Sequence, residues 1–124
     1  MNIFRAKPVG EDWSEVRAEL ERAFLMSRAA AQNEESFVFV VHHDDLLGRR
    51  GAGNAMVATG LLSAARTAAI EGARKGWAAN VVAYDDDSDP ELIEEWAERL
   101  ATDSHGVTGE LIRLGASHLG KALP

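Results

Sequence analysis

A chain of 124 residues, 46% of them hydrophobic, is long enough to bury one core, so we expect a single domain over residues 1–124. It has no cysteine, which excludes disulfides, thiolate catalysis and cysteine-ligated zinc and fits a reducing cytoplasm. A formal net charge of -7, with Lys and Arg scattered along the chain, disfavours nucleic acid and anionic membranes as partners. We therefore expect a soluble, cytoplasmic protein.

The N-terminal third predicts a short strand and a long helix. Ile3 and Phe4 suit a strand, which Pro8 ends because proline cannot donate to a ladder. Residues 12–15 have the form of a capping box, and a helix over 13–32 follows. Apolar or small residues recur on it at helical spacing: Trp13, Val16, Leu20, Ala23, Phe24 and Ser27.

Residues 37–41 are five consecutive large apolar residues, all aromatic or β-branched. A run without alternation is typical of a strand that is covered on both faces, as in the middle of a parallel α/β sheet. The run ends in His42, His43, Asp44 and Asp45. Because ligands bind at the carboxyl ends of the strands in such sheets, these four residues are the first candidates for a site.

A glycine-rich loop at 48–53 leads into a helix predicted over 55–75, with Asn54 as its N-cap. Small residues lie on more than one face of this helix, so it can approach neighbours closely on two sides. We expect one of those neighbours to be another subunit.

Residues 77–84 predict a second buried strand, which ends in Asp85, Asp86 and Asp87. A cap followed by proline at 89–90 predicts the next helix, and residues 110–114 predict a last strand. The order of elements indicates an α/β fold with a parallel sheet of three or four strands, right-handed crossovers and helices on both faces.

Three segments resemble the short-chain dehydrogenase/reductases. Residues 67–83 are similar to the family's E-x-A-x-x-G-I-R-V-N-x-V-A, and residues 107–115 to its I-T-G-Q-x-I-x-V-D-G-G. The helix at 13–32 resembles the one before the family's catalytic strand. The resemblance covers nearly all of this chain and the second half of a family member. It implies half of a Rossmann-like fold, lacking the N-terminal dinucleotide-binding half.

The resemblance also locates the family's catalytic residues, which are a tyrosine, a lysine, a serine and an asparagine. By the family's spacing from Glu71, the tyrosine position falls on Asn54, the lysine position on Ala58, the serine position at His42 and the asparagine position at Glu19. All four are substituted. The resemblance therefore implies an inactive member of oxidoreductase ancestry, in which binding of the ancestral cofactor NAD(P) is not expected.

In full-length family members the helices that match 13–32 and 55–75 pair in a four-helix subunit interface. The resemblance thus implies a pseudoenzyme that acts as an oligomeric structural or regulatory subunit. Its expected partner is a second copy of the chain or an intact dehydrogenase of the same family.

Three alternatives remain open from the residues alone. His42, His43, Asn54 and Asp85 are candidates for the strand-end pocket of a small enzyme or ligand-binding protein, with either histidine as a general base. Residues 42–45 and 85–87 also offer oxygen and imidazole ligands to a metal, although successive side chains of an extended chain point in opposite directions.

The third alternative is a dinucleotide site at Gly48, Gly51 and Gly53, with Asp85 as the ribose-binding acid. Arg49 and Arg50 would then add phosphate contacts. The glycine spacing matches neither G-x-G-x-x-G nor the Walker loop, which favours an ordinary loop.

Overall fold

The structure, a computed structural model, describes residues 1–103 and 106–115. Within these residues the strands are β1 (Asn2–Arg5), β2 (Phe37–His42), β3 (Ala79–Tyr84) and β4 (Leu111–Arg113). The helices are α1 (Trp13–Gln32), α2 (His43–Leu46), α3 (Ala52–Ala73) and α4 (Pro90–Thr102).

The strands form one parallel sheet in the order β1-β2-β3-β4. Phe39 of β2 lies opposite Phe4 of β1 and Val81 of β3. All six residues of β2 are buried, as its apolar run predicts for a central strand. The expected α/β fold with a parallel sheet is confirmed.

Helices cover the sheet on both faces. On the face of α1 and α3, the rings of Phe4 and Phe37 pack against Phe39, with centroids 6.0 and 5.1 Å from it. On the opposite face, Val38 and Val40 pack with residues of α4. Because alternate residues of a strand point to opposite faces, β2 supplies apolar side chains to both layers.

Two helix starts are formed as the sequence predicts. The side chain of Asp12 accepts a hydrogen bond from the Ser14 N–H at 3.1 Å and caps α1. The side chain of Asp89 caps α4 in the same way through the Glu91 N–H at 3.0 Å, and Pro90 occupies the first helical position.

The predicted start of α3 is wrong. The helix begins at Ala52 rather than at residue 55, and the cap position is Gly51, with φ 97°, rather than Asn54. Asn54 lies inside the first turn, where its side chain bonds elsewhere. A Cβ at Gly53 would lie 2.3 Å from the Gly10 carbonyl oxygen, so only glycine lets this turn approach the segment between β1 and α1 so closely.

The extended conformation assumed for residues 43–45 is also wrong, because they lie in the single turn of α2. β3 begins at Ala79 rather than at 77, since the Trp77 N–H still bonds to the Gly72 carbonyl of α3 at 3.1 Å. Throughout the described residues, no helix has both the length and the apolar character needed to cross a membrane.

Candidate functional site

His42 ends β2 with both ring nitrogens in hydrogen bonds. Its side chain is 4% exposed and lies beside the ring of Tyr84, with centroids 5.1 Å apart. Nδ1 accepts from the Asp44 N–H at 3.0 Å, and Nε2 lies 2.8 Å from Asp86 Oδ1. Because a backbone N–H can only donate, Nδ1 carries the lone pair and Nε2 carries the proton that is donated to Asp86. Neither nitrogen is left to accept a substrate's proton in this arrangement.

His43 is more deeply buried, at 2% exposed, and ties α2 to the end of β4. Its Nε2 donates to the Leu114 carbonyl at 3.1 Å, because a carbonyl oxygen can only accept. Nδ1 is buried and has no hydrogen-bond partner among the residues that the structure describes. The histidine is therefore buried beside the end of β4, with one ring nitrogen unpaired among the described residues.

Asp85 organises the turn between β3 and α4. Its Oδ1 accepts hydrogen bonds from the Asp87 N–H and the Ser88 hydroxyl, both at 3.0 Å. The Ser88 hydroxyl also lies 3.0 Å from the Leu114 carbonyl, which His43 contacts as well. Of the four residues predicted for a strand-end pocket, the structure thus brings His43 and Asp85 to one neighbourhood.

Asn54 and Glu19 belong to a different cluster, around the segment that connects β1 to α1. Asn54 Oδ1 accepts from the Val9 N–H at 2.8 Å, and its Nδ2 donates to the Arg50 carbonyl at 2.8 Å. Glu19, with a side chain 7% exposed, accepts from the Lys7 N–H at 2.6 Å. Two of the four positions where the resemblance expects catalytic residues therefore hold the backbone of residues 7–9 in place.

The other two of these positions are His42, which ends β2 as described above, and Ala58, which is buried in the apolar core between α3 and the sheet. Its methyl group can pack there but can neither carry charge nor transfer a proton.

The two arginines of the glycine-rich loop pair with the acids that precede them. Arg50 donates to both carboxylate oxygens of Asp45 at 2.8 Å, and Arg49 lies 3.4 Å from Asp44. The hydrogen bonds to Asp45 raise the pKa of Arg50. Both cations are thus engaged within their own segment rather than directed at the N-terminus of α3.

The clustered acids and histidines do not assemble into a metal site in the described part of the chain. Across residues 1–103 and 106–115, no group of three or more His, Asp or Glu side chains is placed to hold a metal ion. The helical turn of α2 accounts for part of this, because it spreads residues 43–45 around its axis.

The sequence interpretation missed a cavity at the same end of the sheet. It measures about 210 Å³ and lies between the ends of β1 to β3 and the start of α4, and it is lined by Arg5, Ala6, Val40, Tyr84, Pro90, Ile93 and Glu94. Arg5 donates through Nε to Glu94 at 3.0 Å and through a terminal nitrogen to the second carboxylate oxygen. These hydrogen bonds lower the pKa of Glu94 and raise that of Arg5.

A second feature is the outer face of the two packed helices α1 and α3. Large apolar side chains are exposed there: Trp13, Phe24 and Leu25 on α1, and Met56 and Ile70 on α3. A groove of about 330 Å³ lies on α3 and includes Ile70; it is lined by Thr59, Leu62, Ser63, Arg66, Thr67 and Ile70. We call this surface the α1–α3 face.

No protein-family model matches the chain, and no curated protein matches it. Its fold is similar to solved short-chain dehydrogenase/reductase structures. A short-chain dehydrogenase from Mycobacterium smegmatis matches with a TM-score of 0.67 and 20% identity, over 94% of this chain and 58% of that one. An oxidoreductase of the short-chain dehydrogenase/reductase family from Burkholderia thailandensis matches with a TM-score of 0.70 and 17% identity, over 90% of this chain and 61% of that one.

A third match is an oxidoreductase of the same family from Brucella ovis, solved with a partially ordered NAD, with a TM-score of 0.63 and 17% identity. It covers 93% of this chain and 65% of that one, so the chain spans between 58% and 65% of the length of these three structures. Identities this low establish the fold alone. The chain has the Rossmann-like fold of part of a short-chain dehydrogenase/reductase.

Proposed function

We propose that this protein is a catalytically inactive relative of the short-chain dehydrogenase/reductases, which acts as a subunit by assembling with chains of the same fold. The proposal rests on the residues that stand where the sequence resemblance expects the catalytic ones. Their side chains make structural contacts. Glu19 and Asn54 bind backbone N–H groups of residues 7–9, and Ala58 is part of the core.

The chemistry of reduction explains why these contacts matter. Hydride transfer to a carbonyl needs a group that passes a proton to the oxygen and a neighbour that tunes the pKa of that group. The amide of Asn54 does not titrate, and Ala58 supplies no charge to a neighbour. The only tyrosine of the sequence, Tyr84, lies on β3 beside His42, on a different element from the first turn of α3.

The α1–α3 face supports the assembly part of the proposal. Ile70 is 67% exposed and Phe24 is 61% exposed, which is unusual for large apolar side chains on an otherwise polar surface. A two-fold interface requires one patch to be complementary to itself. This face offers both exposed apolar side chains and a groove on α3, so a dimer of this chain is the assembly we propose first. An intact dehydrogenase with a matching face is the second possible partner.

The proposal is tested by the mass of the native protein in light scattering, with cofactor binding followed by calorimetry. We expect a dimer that gives no binding heat with NAD(H) or NADP(H). Phe24→Glu is expected to yield monomers, because it places a charge in the interface. Leu92→Glu is the matched control, since Leu92 is also a partly exposed apolar residue but lies on α4.

Two results would contradict the proposal. Stoichiometric cofactor binding would mean that the protein retains a cofactor site and that Glu19, Asn54 and Ala58 do not mark lost catalytic positions. The assembly part of the proposal would be wrong if the protein stays monomeric at high concentration and does not associate with an added short-chain dehydrogenase.

One observation favours the alternative of a ligand-binding protein or small enzyme at the strand ends. The buried Nδ1 of His43 lacks a hydrogen-bond partner among the described residues, and such atoms occur at functional sites. If this alternative holds, a measured activity or ligand affinity will be lost in His43→Ala and retained in Asn54→Ala, because Asn54 belongs to the other cluster.

A further inference from the structure

The strand β1 forms one edge of the sheet and pairs with β2 alone. The N–H of Ala6, which follows β1, donates to the Val40 carbonyl at 3.0 Å. Because main-chain groups of successive residues point alternately to the two sides of a strand, Phe4 also bonds to β2, while Ile3 and Arg5 direct their groups away from the sheet. In the described part of the chain, the N–H and C=O groups of Ile3 and Arg5 have no hydrogen-bond partner. We call these four groups the free edge of β1.

The next position along this edge is closed by a side chain. The Lys7 N–H points in the same direction as those of Ile3 and Arg5, and it donates to Glu19 at 2.6 Å. Arg22 holds the Glu19 carboxylate through two hydrogen bonds, at 3.0 and 3.1 Å. An additional strand therefore finds four unpaired groups beside β1 and a carboxylate where the edge ends.

The free edge of β1 is complementary to itself. In an antiparallel pair of strands, two residues that lie directly opposite each other can exchange both of their N–H···O bonds. With Ile3 opposite Arg5 of a second copy, a two-fold axis passes beside Phe4, and Arg5 lies opposite Ile3 of that copy. The four hydrogen bonds that form use every group of both free edges.

Other registers pair fewer of these groups within the strands. Placing Arg5 opposite Arg5 brings like charges together, and it sets Ile3 against Lys7, whose N–H is already occupied. Placing Ile3 opposite Ile3 sets Arg5 against Met1, which lies outside β1. In the register of Ile3 with Arg5, the aliphatic stem of Arg5 covers the half-buried Ile3, while its guanidinium stays on Glu94.

We propose that the free edge of β1 pairs antiparallel with the same edge of a second copy, in this register, so that two four-stranded sheets become continuous. This contact goes beyond the proposed dimer and does not rest on it. Phe24 of the α1–α3 face and Arg22 beside the free edge are two positions apart on α1, which places them on nearly opposite sides of the helix. One chain can therefore form both contacts.

The edge contact is small, because it consists mainly of four main-chain hydrogen bonds. We expect it to form at about millimolar concentration, where the α1–α3 contact is already complete. The experiment therefore uses Phe24→Glu, in which the edge contact stands alone. Hydrogen exchange of the backbone amides is followed by NMR in dilute and in concentrated solution. The amides of Ile3 and Arg5 are expected to exchange at least about threefold more slowly in the concentrated sample, whereas that of Phe4, which is bonded to β2 at both concentrations, does not change.

Two further substitutions, each combined with Phe24→Glu, identify the groups responsible. Ile3→Pro removes one of the two donors of the free edge without removing a bond to β2, and is expected to weaken association at least about tenfold. Ile3→Ala is the matched control, because it shortens the same side chain and keeps the N–H. With Ile3→Ala, the exchange of the Arg5 amide is expected still to depend on concentration.

The proposal is overturned if Ile3 and Arg5 exchange at the same rate at both concentrations, or if folded Ile3→Pro associates as tightly as Ile3→Ala. If Ile3→Pro fails to fold, the concentration dependence in Phe24→Glu and in its Ile3→Ala combination decides. The proposed function is tested separately by the mass in dilute solution. A natural dimer that Phe24→Glu converts to monomers, without protection of Ile3 and Arg5 at high concentration, would remove the edge contact and leave the α1–α3 dimer in place.

Discussion

Asn54 accepts a hydrogen bond from the Val9 N–H at 2.8 Å, across 45 positions of the sequence. Its amide nitrogen donates to the Arg50 carbonyl, so one side chain fastens the first turn of α3 both to the loop before it and to the segment between β1 and α1. This residue stands at the position where the family resemblance expects the catalytic tyrosine. In the function proposed above, this position supports the fold and transfers no proton.

The first prediction tests that support. Asn54→Ala removes two partly buried hydrogen bonds, to the Val9 N–H and to the Arg50 carbonyl, and we expect it to lower the free energy of unfolding by about 1–3 kcal/mol. Ser63→Ala, on the exposed side of the same helix, is the control and is expected to change it by less than about 0.5 kcal/mol. Urea denaturation followed by circular dichroism measures both. Equal effects of the two substitutions would mean that the Asn54 contacts contribute no stability.

A second prediction concerns two glycines of α3. A Cβ at Gly53 would lie 2.3 Å from the Gly10 carbonyl, so Gly53→Ala forces the helix away from residue 10, at a cost of about 1–3 kcal/mol. A Cβ at Gly60 would lie 3.6 Å from a methyl of Leu20, which is an ordinary contact. Gly60→Ala is expected to stabilise the protein by about 0.5–1 kcal/mol, because alanine favours the helix interior.

Thermal unfolding of both glycine variants gives the comparison. We expect the midpoints to move in opposite directions from that of the natural sequence. A rise for Gly53→Ala would show that α3 and the Gly10 carbonyl are not in close contact in solution.

Asn80 provides a third prediction, at the opposite end of the sheet. It is fully buried on β3, where its Nδ2 donates to the Val107 carbonyl at 2.9 Å and its Oδ1 accepts from the Glu110 N–H at 3.1 Å. Asn80→Leu keeps the branching and the number of heavy atoms of the side chain but leaves both backbone groups unpaired, and it is expected to cost about 2–4 kcal/mol.

The loss should be local first, because these bonds hold the segment that leads into β4. Hydrogen exchange is expected to accelerate in Leu111–Arg113 more than in β2. If hydrogen exchange accelerates equally in all strands, the bonds of Asn80 stabilise the whole fold and not specifically the segment that leads into β4.

The sequence predicts those parts of the fold that depend on residues close together along the chain. The apolar run of β2 and the side-chain caps Asp12 and Asp89 are formed as predicted, since each depends on residues within a few positions along the chain. Asparagine is common at helix caps, so the sequence predicts Asn54 as a cap. Its side chain instead bonds to the Val9 N–H, which is distant in sequence, and this contact is what the local pattern cannot show. Local patterns specify elements, whereas the partners of buried polar groups follow from tertiary packing.

The same limit applies to the sites. The strand-end location of His42 and Asp85 follows from parallel topology and was predictable. The pairing of Arg5 with Glu94 joins the first strand to the last helix of the described chain, 89 positions apart, and no sequence motif marks it. The cavity between them was therefore found only in the three-dimensional structure.

The last prediction uses this pair. The hydrogen bonds from Arg5 lower the pKa of Glu94 in the folded state below its unfolded value of about 4.3. A carboxyl group with a lowered pKa stabilises the fold above its unfolded pKa, and this contribution is lost as the pH falls through the folded pKa. The raised pKa of Arg5 adds no pH dependence in this range, since arginine is always protonated there.

Glu94→Gln is therefore expected to lower the free energy of unfolding at neutral pH by less than about 1 kcal/mol, because both side chains are about half exposed and screened by solvent. The difference from the natural sequence should shrink as the pH is lowered from about 5 to about 3. Glu95→Gln, an exposed neighbour on the same helix, is the control and should show no such convergence. Urea denaturation at several pH values measures it, and a difference that stays constant down to the lowest pH would contradict an ionised Glu94 held by Arg5.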